Sequence, residues 1–178
     1  GKSTRMGKDK GIIDYHGKPQ REFLFHLLKR FCKEVYVSCK AEQEVPSHLN
    51  PIVDQFNIDS PLNGILSAFK LKPDTAWLAV AVDMPMVNEM VIRFLLDHRD
   101  PSKAATCFKD SEKTLPEPLL TIWEPKAYPL LIQQLRQGNV SPRHFLKSND
   151  ISLLDIRDKG FLTNINSPDE LRSFLKGN

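Results

Sequence analysis

The chain has 178 residues, 40% of them hydrophobic, enough to bury a real core as one domain. A net charge of +3 gives no sign of a broad nucleic-acid footprint, and no aromatic-plus-basic stripe suits stacked RNA. No apolar run reaches membrane-spanning length and no secretory segment opens the chain, so no membrane partner is expected. Cys32, Cys39 and Cys107 are odd in number and lack C-x-x-C spacing, which suits a reducing compartment; the expected location is cytoplasmic. The histidines show no zinc-ligand spacing.

The first eleven residues read GKSTRMGKDKG. Gly1-Lys2-Ser3-Thr4 could be the end of a P-loop, whose lysine opens a helix. Gly7 and Gly11 follow too soon, without apolar periodicity, for a helix to be expected. The stretch reads better as a glycine-punctuated cationic loop able to wrap a triphosphate. Backbone N–H groups would supply donors, and Arg5 and Lys10 charge. An ordinary solvated basic loop is the bland alternative.

GIIDYHGKPQ predicts a short strand, a His16-Gly17 turn and a helix beginning near Pro19, with Phe23, Leu27, Leu28 and Phe31 at helical spacing. EVYVSC is a strand by composition, and a short PIV leads into Asp54. SPLNG precedes a helix over about 63–71. Residues 76–82 are apolar on both faces, the pattern of a central strand covered by helices, and the run ends abruptly in Asp83. A helix over about 88–98, the strands AATCF and PLLTIW, and the helix KAYPLLIQQLRQ follow. In NINSPDELRSFL, Ser167 is the expected N-cap, with Pro168 at the first helical position. Strands alternating with helices imply an α/β, three-layer, doubly wound and mostly parallel sheet.

On these residues the chain resembles the molybdenum cofactor guanylyltransferases, whose signature loop reads G-x-S-x-R-M-G-x-D-K-G. GIIDYHGKP, SPLNGILSAF, AVAVDMPMV and LTNINSPDEL resemble the family's further landmarks in the same order across nearly the whole chain. The resemblance implies a nucleotide-diphospho-sugar transferase-like fold. The reaction it implies is transfer of GMP from GTP to the phosphate of molybdopterin, with release of pyrophosphate. Mg²⁺ is the implied cofactor. Proteins of molybdenum-cofactor biosynthesis or delivery are the implied partners. The family has a first strand ending L-A-G-G before the loop, so further residues are expected upstream of Gly1. Where the family often has Asn, this chain has Ser38. A CTP-using or sugar-1-phosphate relative therefore stays in view, as does a P-loop NTPase from another class.

The implied site residues follow. Arg5, Lys10 and Asp83 would be catalytic, and Asp83 would hold the metal. Gly1, Ser3, Arg5, Lys10, Ser38, Asp54, Leu62, Gly64 and Asp83 would bind nucleotide. Asp83 lies just past a strand's carboxyl end, where open α/β sheets place ligands, though a carboxylate there can equally cap the next helix. Asn164 or Asn166 could complete the metal shell, although capping explains that segment by itself. Arg143 could face the pterin phosphate or solvent.

Overall fold

The computed structural model describes residues 9–109, 115–155, 159–163, 165, 167, 169–171 and 173. Strand β3 (Trp77–Val80) lies at one side of a four-stranded sheet ordered β3-β5-β4-β6, with β4 at Ala105–Lys109, β5 at Pro116–Trp123 and β6 at Ser152–Leu154. Two short strands, β1 (Val37–Cys39) and β2 (Pro51–Val53), pair in parallel beside it. Among the described pairings, β4–β6 is also parallel, whereas β5 runs antiparallel to both β3 and β4.

Alternation along the strands builds two cores. Leu78, Val80, Phe108, Leu120 and Ile122 face α1 (Gln20–Leu28) and α3 (Glu89–Asp97), packing with Leu24, Val91, Ile92 and Leu95. Trp77, Ala79, Cys107 and Trp123 face α2 (Leu62–Leu71), α4 (Ala127–Arg136) and α5 (Pro142–Ser148), packing with Leu66, Phe69, Leu131 and Phe145. Helices therefore cover both faces, as the alternating pattern implies. Two of the helix starts have side-chain caps. Asn88 caps α3 by accepting from Met90 N–H and Val91 N–H, and Ser141 caps α5 through His144 N–H. Ser167 accepts from Glu170 N–H at 3.2 Å, the cap read from sequence. Pro129 sits in the first turn of α4, where its missing N–H costs nothing.

Three local expectations shift. Residues expected to form a strand after Gly11 make only an isolated Asp14–Pro19 bridge, with Gly17 at φ +79° in the turn between them. Lys10–Ile12 forms one 3-10 turn where no helix was expected, because Asp9 accepts from Gly11 N–H and caps it. β3, expected to be fully covered, is only half-buried. The reason is a cavity of about 910 Å³ lined on one side by Val35–Cys39 and on the other by Ala76–Asp83. Among the described pairings, β1 bonds only to β2 and β3 only to β5, so one edge of each strand faces this space. Tyr36 and Trp77 meet at its far end with ring centroids 5.6 Å apart.

Candidate active site

Lys10 and Asp83, 73 residues apart in sequence, meet at the near end of that cavity. Lys10 Nζ donates to Asp83 Oδ2 at 2.8 Å, with side chains 10% and 20% exposed. Strand β3 delivers Asp83 to its carboxyl tip, and the 3-10 turn delivers Lys10. The stretch after Asp83 is anchored from α1, whose Gln20 Nε2 donates to Met84 O at 3.5 Å, and from the preceding turn, whose His16 Nε2 donates to Pro85 O at 2.9 Å. His16 in turn stacks on Phe23 at 4.1 Å. From the far end of the chain, Ile165 N–H donates to Asp83 O at 2.8 Å, which sets Ile165 beside the same tip. Burial, and next the Asp83 charge, push the Tyr15 phenol up to about 12.

Across the cavity stand Ser38, Asp54 and Gly64, all lining it with Lys10 and Asp83. Asp54 N–H donates to Cys39 O at 2.9 Å, tying the tips of β1 and β2 together. Burial raises the Asp54 carboxyl above its usual range, against opposing contributions from Lys40 and a hydrogen bond with Ser38. Gly64 sits in the first turn of α2, hard against β1. A Cβ there would stand 3.2 Å from Ser38 Cβ and inside van der Waals contact of Ser38 Oγ. The glycine is thus needed for close approach, with ordinary helical backbone.

The other sequence candidates distribute as follows. Leu62 is fully buried in the α2 core and does not line the cavity, whereas its neighbours Ser60 and Pro61 do. Arg143 lies at the start of α5 and donates to Glu117 Oε2 at 3.2 Å. Gly1, Ser3, Arg5, Asn164 and Asn166 lie outside the described residues. The sequence reading passed over Asp9, Arg21 and Gln43, which bind the Lys10 turn to the loop after β1. Only the aspartate stood inside a motif.

The comparisons bear on family and fold. Residues 1–152 match the family model of the MobA-like NTP transferase domain. The chain belongs to that family. It is 31% identical over 173 residues to a molybdenum cofactor biosynthesis bifunctional protein from Synechocystis, covering 96% of this chain and 50% of that protein. It thus spans half the length of that relative. A molybdenum cofactor guanylyltransferase from Pseudomonas putida is 25% identical over 177 residues, with 97% and 92% of the two chains covered. The molybdopterin-guanine dinucleotide biosynthesis protein A structure from Archaeoglobus fulgidus superposes with a TM-score of 0.79 at 22% identity, covering 99% and 93% of the two chains. A 2-C-methyl-D-erythritol 4-phosphate cytidylyltransferase from Thermus thermophilus gives 0.70 at 13% identity, covering 94% and 92%. This MobA-like chain is thus a nucleotidyltransferase by class, with a fold shared by the solved structures above; the curated relatives are named for molybdenum cofactor biosynthesis. No helix among the described residues is long and apolar enough to cross a membrane.

Proposed function

We propose that this chain transfers GMP from GTP to the phosphate of molybdopterin. An acceptor phosphate oxygen forms a bond to the α-phosphorus, the bond from that phosphorus to the bridging oxygen breaks, and pyrophosphate leaves with the electron pair. Such a reaction asks the protein to align and neutralise charge more than to move protons. The observation that carries the reading is the convergence of Lys10 and Asp83 on the mouth of one cavity that Ser38, Asp54 and Gly64 also line. Lys10 would exchange its contact with Asp83 for the triphosphate and stabilise charge on the departing pyrophosphate. Arg5 would join it, and Gly1 and Ser3 would offer donors from the same loop. Ser38, Asp54, Gly64 and the backbone near Leu62 would hold the nucleoside on the opposite wall.

The donor set fits Mg²⁺. One half-buried carboxylate at a strand tip is what a hard cation needs when substrate phosphates supply its remaining oxygens. Asp83 would hold the ion, which when bound neutralises phosphate charge; Asn164 or Asn166 would complete its shell.

Turnover with Mg²⁺, molybdenum-loaded molybdopterin and each of the four nucleoside triphosphates tests the reading. GTP is expected to yield the guanine dinucleotide and pyrophosphate. Equal turnover with CTP overturns the choice of base, and silence with all four overturns the transferase role.

We further propose that the cavity between β1 and β3 receives a strand from chain upstream of Gly1. Two facing edges and the apolar run 76–82 support it. Ala81 N–H bonds to Leu119 O on β5, so alternation points Leu78 and Val80 N–H into the cavity. Hydrogen exchange at those two amides should slow when an apolar five-residue strand is added before Gly1. Unchanged exchange overturns the assignment.

A further inference from the structure

Lys10 has to be held still as well as charged, and part of what holds it comes from the loop after β1, to which no motif points. Asp9 uses both carboxylate oxygens. Oδ1 accepts from Gly11 N–H at 2.9 Å, closing the turn that contains Lys10, and Oδ2 accepts from Gln43 Nε2 at 2.9 Å. Gln43 Oε1 accepts from Lys40 N–H at 2.9 Å, while Gln43 N–H donates to Lys40 O at 3.0 Å. Only this orientation of the amide satisfies both neighbours, since a carboxylate needs a donor and an N–H an acceptor. Arg21, from the first turn of α1, backs the arrangement. Its Nη1 donates to Glu44 O at 3.0 Å and stands 3.9 Å from Asp9 Oδ2. Gly11 leaves room for it, because a Cβ there would meet Asp9 Oδ1 at 3.3 Å and Arg21 at 3.4 Å.

Lys40 directly follows β1, two residues beyond Ser38, and its ammonium reaches Asp59 Oδ1 at 2.7 Å beside the start of α2. The chain of bonds thus runs from the phosphate-side lysine to the wall that carries Ser38 and Gly64. We infer that Asp9 and Gln43 are a positioning pair that holds the Lys10 turn to the loop after β1 and so fixes where Lys10 stands in the nucleotide site. The inference rests on the transferase reading of that site and adds to it the residues that place its lysine. Neither side chain touches the reacting atoms. Their effect comes through Lys10, and a displacement of about 1 Å there can cost ~10²-fold in rate.

A swap of polarity tests the contact directly, with kinetics measured on the full chain. Gln43→Glu sets two carboxylates face to face, and Asp9→Asn sets two amide donors face to face. Each single variant should lose about tenfold or more in kcat with a smaller change in KM for GTP. The double variant Asp9→Asn/Gln43→Glu restores the contact with its direction reversed. The amide now at position 9 donates to the carboxylate now at position 43, which still accepts from Lys40 N–H. It should recover to within about threefold of the parent. Hydrogen exchange at Gly11 and Lys40 should quicken in each single variant and slow again in the swap, a readout independent of turnover. A swap no better than the worse single variant, by kinetics or by exchange, overturns the pairing. A parent chain that transfers no nucleotide overturns the transferase reading; an active parent matched by both singles overturns the positioning role alone.

Discussion

Two charge pairs stand at opposite ends of one sheet and are built differently. At the carboxyl tip of β3, Lys10 meets Asp83 through a single oxygen at 2.8 Å, at the mouth of a cavity. At the other end, β5 runs back antiparallel until Trp123 lies opposite Trp77, and Glu124 follows it. There Arg99, just beyond α3, grips both oxygens of Glu124 at 2.6 and 2.8 Å, and the glutamate side chain is only 3% exposed. A planar fork closed on a buried carboxylate satisfies both groups and locks α3 to β5. A one-point contact beside open space is a pair that a ligand can part. The fork serves the fold, and the one-point contact is suited to chemistry.

The comparison breaks if the two ends respond alike. Asp83→Ala and Lys10→Ala should each lower turnover by ~10²–10³-fold, while thermal denaturation shows the fold retained. Unchanged turnover in either variant would remove that residue from the site. Glu124→Ala should do the reverse, destabilising by about 2 kcal/mol because it removes a two-point charge-assisted contact that ties Arg99 to β5, with turnover per folded molecule nearly unchanged. Denaturant titration alongside kinetics separates these effects.

The alkaline limb sharpens the picture at the site end. Tyr15 has its phenol raised from 10.0 to about 12, so the stability it contributes is fully present below pH 10 and is lost as pH climbs towards 12. Tyr15→Phe should abolish that decline, of order 2 kcal/mol, in urea titrations across this range. The smallest effect expected is at the nucleoside wall. Gly64→Ala gains helix propensity but crowds Ser38, so the net loss should be about 1 kcal/mol. Adding Ser38→Ala should recover part of it by removing the hydroxyl, and failure to recover would mean that the crowding lies elsewhere.

Much of the fold was legible because local rules and global need agreed. The apolar run 76–82, the stop at Asp83, the cap at Ser167 and the helix after SPLNG each carried their own signal. The reversal of β5 was not legible, since strand composition is blind to direction. The half-exposure of β3 was hidden for a related reason: periodicity says which faces are apolar, never which edge finds a neighbour. At the site, Asp83 and Lys10 stood out by motif and position. Gln43 did not, because a glutamine in a polar loop has no pattern until its partner is known.

The amino-acid order by itself determined the layered α/β architecture and put a carboxylate at a strand tip and cations in a glycine-jointed loop, because spacing and side-chain type act over a few residues. Only the folded chain brought Lys10 within 2.8 Å of Asp83, closed Asp9 onto Gln43 and left facing edges on β1 and β3. Those contacts join residues 73 or 34 positions apart, and such distances are set by packing, which no local pattern encodes.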